Sequence, residues 1–222
     1  MSSSITSQLK RYFSRYPLRT YRKRERIVRP EEIVPGIFFI KTGFVRQSTI
    51  SREGKELTLN IFQPESLLFL ILTLENKKNT YYYEALTQVE AYCAPFSETV
   101  DFMLDKPQFM LNLLKRVRYG ISIFNDRMES LTFSNAKGKL ATTLLILAQR
   151  FGKRENGYIT IPFPLTHNDI ANFVGLTRET TSIEMKSLER HHIIERHKKH
   201  TRILSIDAIE ELASIQPKWE RV

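Results

Sequence analysis

Residues 165–188 read LTHNDIANFVGLTRETTSIEMKSL. Thr166 is placed to cap a first helix, and Asp169 follows it at the spacing of a capping box. Gly175 can adopt the left-handed conformation that a tight turn requires, and Thr177 can cap a second helix. The segment therefore predicts two short helices joined by a tight turn, and the rest of the chain is interpreted around this pair.

The second predicted helix has an apolar side and a polar side. Thr181, Met185 and Leu188 recur at helical spacing and predict the buried side. The opposite side suits the DNA major groove, because arginine pairs bidentately with guanine and glutamate accepts a hydrogen bond from cytosine. The residues predicted to read bases are Arg178, Glu179, Ser182 and Ile183.

A β-hairpin with a basic tip is predicted directly after these helices. Residues 193–196 and 202–206 read as strands on either side of the sequence HKKHT at 197–201. Such a tip is typical of the wing of a winged helix, where it lies near the DNA backbone and adds sequence-independent affinity. The residues predicted to contact or approach phosphates are His167, Thr177, Lys186, Lys198, Lys199 and Arg202. A small helical packing domain is the alternative interpretation.

A long helix is predicted upstream of this module, over residues 107–133. Pro107 suits its first turn, and apolar residues follow at alternating steps of four and three. This heptad seam favours a parallel two-stranded coiled coil, because a helix packed on its own domain more often shows a wider stripe. The alternative is a long helix buried on the N-terminal domain. The residues predicted to form a dimer interface are Met110, Leu114, Val117, Ile121, Phe124, Met128 and Leu131.

The N-terminal half predicts many short strands separated by turn signals such as Pro35-Gly36 and Thr42-Gly43. A short helix is predicted before them, over residues 5–19. Short strands at even spacing favour a sandwich, a jelly roll or a small barrel. The predicted strands are 26–28, 37–40, 44–50, 56–62, 67–72, 81–86 and 89–94.

Both halves of the chain resemble the Crp/Fnr family of bacterial transcription regulators. The C-terminal half carries the family's pattern in LTHNDIA at 165–171, GLTRET at 175–180, LER at 188–190 and II at 193–194. The N-terminal half carries a looser pattern in PG at 35–36, FIKTGFVR at 39–46, GKELTL at 54–59 and Pro64. This second pattern is similar to the family's cyclic-nucleotide-binding-like β-roll.

The resemblance implies an α+β fold in three parts. These are an N-terminal double-stranded, jelly-roll-like β-roll at 1–106, a dimerisation helix at 107–133, and a winged helix-turn-helix domain at 134–222. It also implies a homodimeric, sequence-specific transcription regulator that binds double-stranded DNA with two-fold related half-sites, through a recognition helix at about 177–190. RNA polymerase is a candidate partner. The alternative is an effector-binding module whose helical C-terminal domain binds a protein partner.

The sequence departs from the family pattern in its sensory half. The family's cyclic AMP binders carry a Gly-Glu segment and an Arg-Ser/Thr pair, whereas residues 64–84, PESLLFLILTLENKKNTYYYE, contain neither Gly nor Arg. The N-terminal cysteine cluster of the family's oxygen-sensing branch is absent. No histidine precedes His167, so the sensory half also lacks the usual histidine ligand of a haem. We therefore expect that the β-roll either binds an unidentified effector other than cyclic AMP or works without an effector, and we predict no cofactor. Ile183 stands where many members have a second arginine, so we expect a different half-site.

Composition agrees with a polyanionic partner. The net charge is +10, and residues 1–29 hold nine Lys/Arg against one acidic residue. No apolar run reaches the roughly 18 residues of a membrane span, and the N-terminus lacks the apolar core of a secretory signal. The sequence thus predicts a cytoplasmic protein that does not contact membranes.

The remaining candidate sites have simpler explanations. His191 and His192 are adjacent, while His197 and His200 lie on the predicted wing, so basic surface is favoured over a metal site. Cys93, the single cysteine, is predicted to be a buried structural thiol. Paired acids, a nucleophile triad, a Walker loop and a dinucleotide fingerprint are all absent from the sequence, which therefore predicts no enzyme.

Overall fold

The computed structural model describes residues 3–70, 72, 78–197 and 199–213. The chain forms two compact units, residues 1–115 and 116–222, with the division inside one long helix. The predicted domain boundaries at residues 106 and 133 stay predictions. Within the described residues, no helix is both long enough and apolar enough to cross a membrane.

The first unit contains two four-stranded antiparallel sheets. One has the strand order β1-β8-β3-β6 and the other β2-β7-β4-β5. Phe38 and Ile40 of the first sheet share one buried cluster with Val45 and Tyr83 of the second, so the two sheets enclose a common core. The strands are β1 Leu18–Tyr21, β2 Arg26–Val28, β3 Ile37–Thr42, β4 Val45–Ile50, β5 Glu56–Phe62, β6 Leu67–Leu68, β7 Tyr82–Ala85 and β8 Val89–Ala94.

Helices cover the other face of the first sheet. They are α1 (Ser3–Phe13), α2 (Phe96–Leu104) and the first turns of α3 (Pro107–Phe133). Ile37 and Phe39 alternate with Phe38 and Ile40 along β3, so they point away from the core between the sheets. They form a second buried cluster with side chains of these three helices, including Phe109 of α3.

The second unit is a winged helix. Its helices are the C-terminal part of α3, α4 (Ala136–Phe151), α5 (His167–Val174), α6 (Arg178–Arg190) and α7 (Ile206–Leu212). Helix α4 forms its centre, with Leu140 and Leu144 both fully buried. The strands β9 (Lys153–Glu155), β10 (Tyr158–Thr160), β11 (Ile194–His197) and β12 (His200–Ile203) form a sheet of order β11-β12-β10-β9. The predicted fold class is confirmed.

Two predicted elements of the first unit were wrong in extent. The helix predicted over 5–19 ends at Phe13, and Leu18–Tyr21 instead pairs antiparallel with β8. The strand predicted over 67–72 ends at Leu68, because Phe69 has a positive φ of 68° that does not continue a strand.

The second unit also differs from its prediction in two places. No strand was predicted at 153–157, where β9 lies and pairs with β10. The wing has a shorter loop than predicted: His197 pairs with His200, and Lys199 occupies the turn with φ of 76°. Residue 206 begins α7 rather than ending a wing strand, since Ser205 accepts a hydrogen bond from the backbone N–H of Ala208.

Candidate nucleic-acid interface

Side-chain caps and one glycine fix the α5–turn–α6 unit. Thr166 and Asp169 form a complete capping box, in which each side chain accepts a hydrogen bond from the other residue's backbone N–H. Gly175 adopts φ of 76°, and its backbone N–H donates to Ala171 at 2.8 Å. Thr177 caps α6 by accepting from the Thr180 backbone N–H at 3.1 Å. The predicted turn chemistry is confirmed.

Helix α6 separates its buried and exposed sides as the sequence predicts. Thr181, Met185 and Leu188 are fully buried against the rest of the unit. On the other side, Arg178 and Glu179 are exposed in the first turn, and Ile183 is 64% exposed one turn later. Ser182 is half-buried and Lys186 is exposed on the same side. The geometry brings the predicted base-reading residues together, while their contacts with bases stay predictions.

His167 connects the two helices of the pair. Its Nδ1 atom lies 2.8 Å from the hydroxyl oxygen of Ser182, so a predicted phosphate contact and a predicted base contact share one hydrogen bond. The pKa of His167 is lowered from its ordinary value, first by burial and then by the positive charge of Arg196. Lys186 and Arg178 lower this pKa further, and Glu189 opposes them. The neutral imidazole is therefore favoured at this point of the surface.

The wing carries one exposed lysine at its described tip, Lys199; the predicted phosphate contact Lys198 lies outside the described residues. Arg196 donates a hydrogen bond to the carbonyl oxygen of Leu165 at 3.0 Å and so ties β11 to the segment before α5. Arg202 bonds Glu195 at 2.9 Å, and its guanidinium lies 4.5 Å from the Tyr158 ring centroid. These contacts hold Arg202 against the sheet, and its contact with a phosphate stays a prediction.

Five residues of the predicted heptad seam form an exposed row on α3, called here the apolar stripe. They are Leu114, Val117, Ile121, Phe124 and Met128, and they are 36–62% exposed. The two end residues differ: Met110 packs into the second cluster of the first unit, and Leu131 is half-buried. On the other side of the same helix, Ile123 is buried with Ile146 of α4. Helix α3 thus contributes to the core on one side and presents apolar side chains on the other.

Arg127 of α3 is a structural residue that the sequence reasoning missed. It donates a hydrogen bond to the carbonyl oxygen of Phe173 at 2.9 Å, and its guanidinium lies 4.1 Å from the Phe173 ring centroid. Burial, followed by the nearby charge of Arg150, lowers the pKa of Arg127 to about 10. The only sequence signal is an arginine on the side of α3 away from the stripe. Its effect is to fasten α5 to α3.

The other candidate residues take structural positions. Cys93 is buried as predicted, and burial raises the pKa of its thiol. Within the described parts of the chain, no three His, Cys, Asp or Glu side chains lie close enough to hold a metal ion. His191 and His192 are exposed after α6, where the Nδ1 atom of His191 lies 2.7 Å from the carbonyl oxygen of Ser187, and His197 and His200 of the wing are half-buried.

Two protein-family models match this chain. Residues 18–106 match the cyclic nucleotide-binding domain, and residues 138–212 match the Crp-like helix-turn-helix domain. Among curated proteins, the chain is 26% identical over 182 residues to the global nitrogen regulator of a Nostoc species, covering 81% of this chain and 82% of the relative.

Solved structures share the fold. FixK2 from Bradyrhizobium japonicum superposes with a TM-score of 0.76 at 20% identity, covering 90% of this chain and 98% of FixK2. A Crp/Fnr-family transcriptional regulator from Thermus thermophilus superposes with a TM-score of 0.70 at 23% identity, covering 90% of this chain and 99% of the regulator.

A β-roll of the cyclic nucleotide-binding type and a winged helix-turn-helix in one chain define a class of DNA-binding transcription regulators. Within this class, the chain belongs to the Crp/Fnr family.

Proposed function

We propose that this regulator acts as a homodimer that inserts two copies of α6 into successive major grooves of a two-fold related site. The apolar stripe of α3 is the observation that carries this proposal. Five large apolar side chains on one helix face lose their contact with water if a second copy of α3 packs against them. Their heptad spacing supports a parallel coiled coil in which knobs of one helix fill holes of the other.

The exposed side of α6 supports its role as the recognition helix. Arg178 and Glu179 lie in the first turn, the part of a recognition helix that reaches base edges. Arginine would pair with guanine and glutamate with cytosine, each contact distinguishing one base pair from the others. Ile183, one turn later, is an exposed apolar side chain suited to the methyl group of thymine.

Contacts to phosphates would position the dimer without reading sequence. Lys186 on α6 and Lys199 on the wing are exposed cations that could contact phosphates. His167 and Thr177 stand at helix N-termini, where backbone dipoles favour an anion. The salt dependence of DNA binding would reflect the number of such phosphate contacts.

If the β-roll binds an effector, we propose that this effector is not cyclic AMP. The sequence at 64–84 lacks the arginine that would pair with a cyclic phosphate. In the second sheet, Arg26 and Arg46 are already paired with Glu84, at 3.2 and 3.0 Å. Between the sheets, the Tyr83 and Phe69 ring centroids lie 4.5 Å apart, so aromatic side chains occupy this space.

The test is an unbiased selection of bound DNA from a random duplex pool with the full-length protein. The proposal predicts enrichment of an inverted repeat whose half-sites lie about one helical turn apart, near 34 Å. The same selection with added cyclic AMP should give the same site with the same yield. The proposal that a homodimer binds two half-sites would be overturned if no sequence were enriched, or if the enriched sequence were a single unrepeated element.

A further inference from the structure

A pocket lies on the helical side of the first unit, separate from the core between the two sheets. Its volume is about 450 Å³, within the range of small-molecule sites. It opens between α1, the connection from α2 to α3, and the first turns of α3. Ile5 and Leu9 of α1, Phe102 of α2 and Phe109 of α3 supply apolar walls.

One wall of this pocket is built rigidly. The Phe102 ring stacks on the Tyr12 ring with centroids 4.0 Å apart, and the Tyr12 hydroxyl lies 3.3 Å from that of Thr99. On Phe102, the Lys106 ammonium lies 4.1 Å from the ring centroid. The ring is thus involved in two contacts, and the ammonium is held at the pocket wall by cation–π attraction.

The charge of the pocket has one sign. Lys106 is its cation, no carboxylate lines it, and among the described residues Lys106 has no salt bridge. The pocket also adjoins the N-terminal turn of the 27-residue helix α3, whose dipole adds positive potential there. The amide side chains of Gln8 and Asn112 also lie in the lining; Asn112 donates one N–H to the carbonyl oxygen of Gln108 at 2.7 Å and has a second N–H that could donate to an anionic oxygen.

We propose that this pocket binds a small organic acid with an apolar body, held by its carboxylate on Lys106 and by its body among Ile5, Leu9, Phe102 and Phe109. An amine would face the like charge of Lys106, and a fully polar anion would leave the apolar walls without a partner. Both aromatic and aliphatic acids have this chemistry. Occupancy would join α1 to α3, the helix that carries the apolar stripe.

The test is titration calorimetry of the full-length protein with phenylpropionate and octanoate, each compared with its alcohol, phenylpropanol or octanol. Lys106→Gln removes the charge, and Asn112→Trp fills the pocket. Lys55→Gln removes an exposed charge from the β4–β5 hairpin and is the matched control. The tighter-binding acid identifies the body of the ligand as aromatic or aliphatic.

At least one acid should bind the wild type and Lys55→Gln equally, and bind Lys106→Gln about tenfold more weakly or worse, as expected for loss of a charge-assisted contact. Asn112→Trp should abolish binding, and the alcohols should bind weakly to every variant. The proposal is overturned if neither acid binds at millimolar concentration. It is equally overturned if Lys106→Gln or Asn112→Trp binds the acids as the wild type does.

Discussion

At the scale of single residues, the preference for one DNA sequence should depend on the first turn of α6. Arg178→Ala or Glu179→Ala removes an exposed side chain and leaves the buried side of the helix intact. Each change should cost about 1–3 kcal/mol against the preferred site and relax discrimination at one base pair of each half-site. Quantitative binding to the selected site and its single-base variants measures both effects.

Lys199→Ala is the comparison for these two variants. It should lower affinity for all sequences alike and reduce the slope of affinity against salt, because a phosphate contact carries no base information. If Arg178→Ala and Glu179→Ala keep the base preferences of the wild type, then α6 does not read the site as proposed.

His167 should make DNA binding depend on pH. Its pKa lies below the ordinary 6.5 in the free protein because of burial and nearby Arg196, and an approaching phosphate would raise it. Binding would then take up a proton, so affinity should increase as pH falls through the interval between these two pKa values. His167→Gln should flatten this dependence in titrations across that interval, whereas His191→Gln should not.

The same pKa shift has an opposite effect on folding. Because the folded pKa of His167 is lowered, its contribution to stability is present above the ordinary value and is lost as pH falls toward the folded one. An affinity that rises on acidification is therefore not explained by a more stable fold. Equal pH dependence in His167→Gln and the wild type would contradict a phosphate contact at this residue.

Among the elements, the α5–α6 turn depends on Gly175. An alanine there would have to keep φ of 76°, and its Cβ would lie 3.4 Å from a Leu131 methyl carbon. The left-handed conformation alone should cost about 1–2 kcal/mol in the free energy of unfolding. Gly157→Ala, at φ of 84° with no atom within 4 Å of its Cβ, is the matched control. Denaturant titration should give both a similar loss.

DNA binding should distinguish these two glycine variants. Gly175 sets the angle between α5 and α6, so Gly175→Ala should also weaken binding to the selected site, while Gly157→Ala should not. Equal DNA affinities in the two folded variants would show that the turn does not set the position of the recognition helix.

The apolar stripe on α3 should determine the oligomeric state. Ile121 is 55% exposed, so Ile121→Asp should leave each copy folded while burying a charge in any dimer. Sedimentation should give a monomer at concentrations where the wild type is a dimer. Asn125→Asp adds the same charge at an exposed position beside the stripe and should remain dimeric. A dimeric Ile121→Asp would place the interface elsewhere.

Elements were predicted correctly from the sequence where the local residue types and the pattern of buried residues indicate the same structure. Thr166, Asp169, Gly175 and Thr177 carry caps and a turn that are recognisable one by one, and the structure contains all of them. The exposed strands were missed because apolar alternation depends on one buried face. Residues 18–20 of β1 and all of β9 are exposed, so no such alternation is present.

Contacts between residues that are distant in the chain could not be predicted from the sequence. The bond between His167 and Ser182 joins two helices, and the bond from Arg127 to Phe173 spans 46 residues. Neither produces a local pattern, because each depends on how the elements pack. The same holds for the bond between Arg202 and Glu195, which forms because β11 pairs with β12.

At the scale of the whole molecule, the apolar stripe and the recognition helix together predict how the two half-sites of the DNA are spaced. A dimer that holds two copies of α6 at a fixed separation can engage both half-sites only if they lie on the same face of the duplex. Inserting about 5 bp between the selected half-sites rotates one of them by half a turn. The stiffness of the dimer then determines the loss of affinity.

The most direct measurement is therefore the affinity of the wild-type protein for the selected site and for the same site with this insertion, at one salt concentration. We predict a loss of about 100-fold or more, down to the affinity for an isolated half-site, since the second contact can no longer form. Equal affinity for the two DNAs would contradict a dimer that reads two half-sites with paired recognition helices.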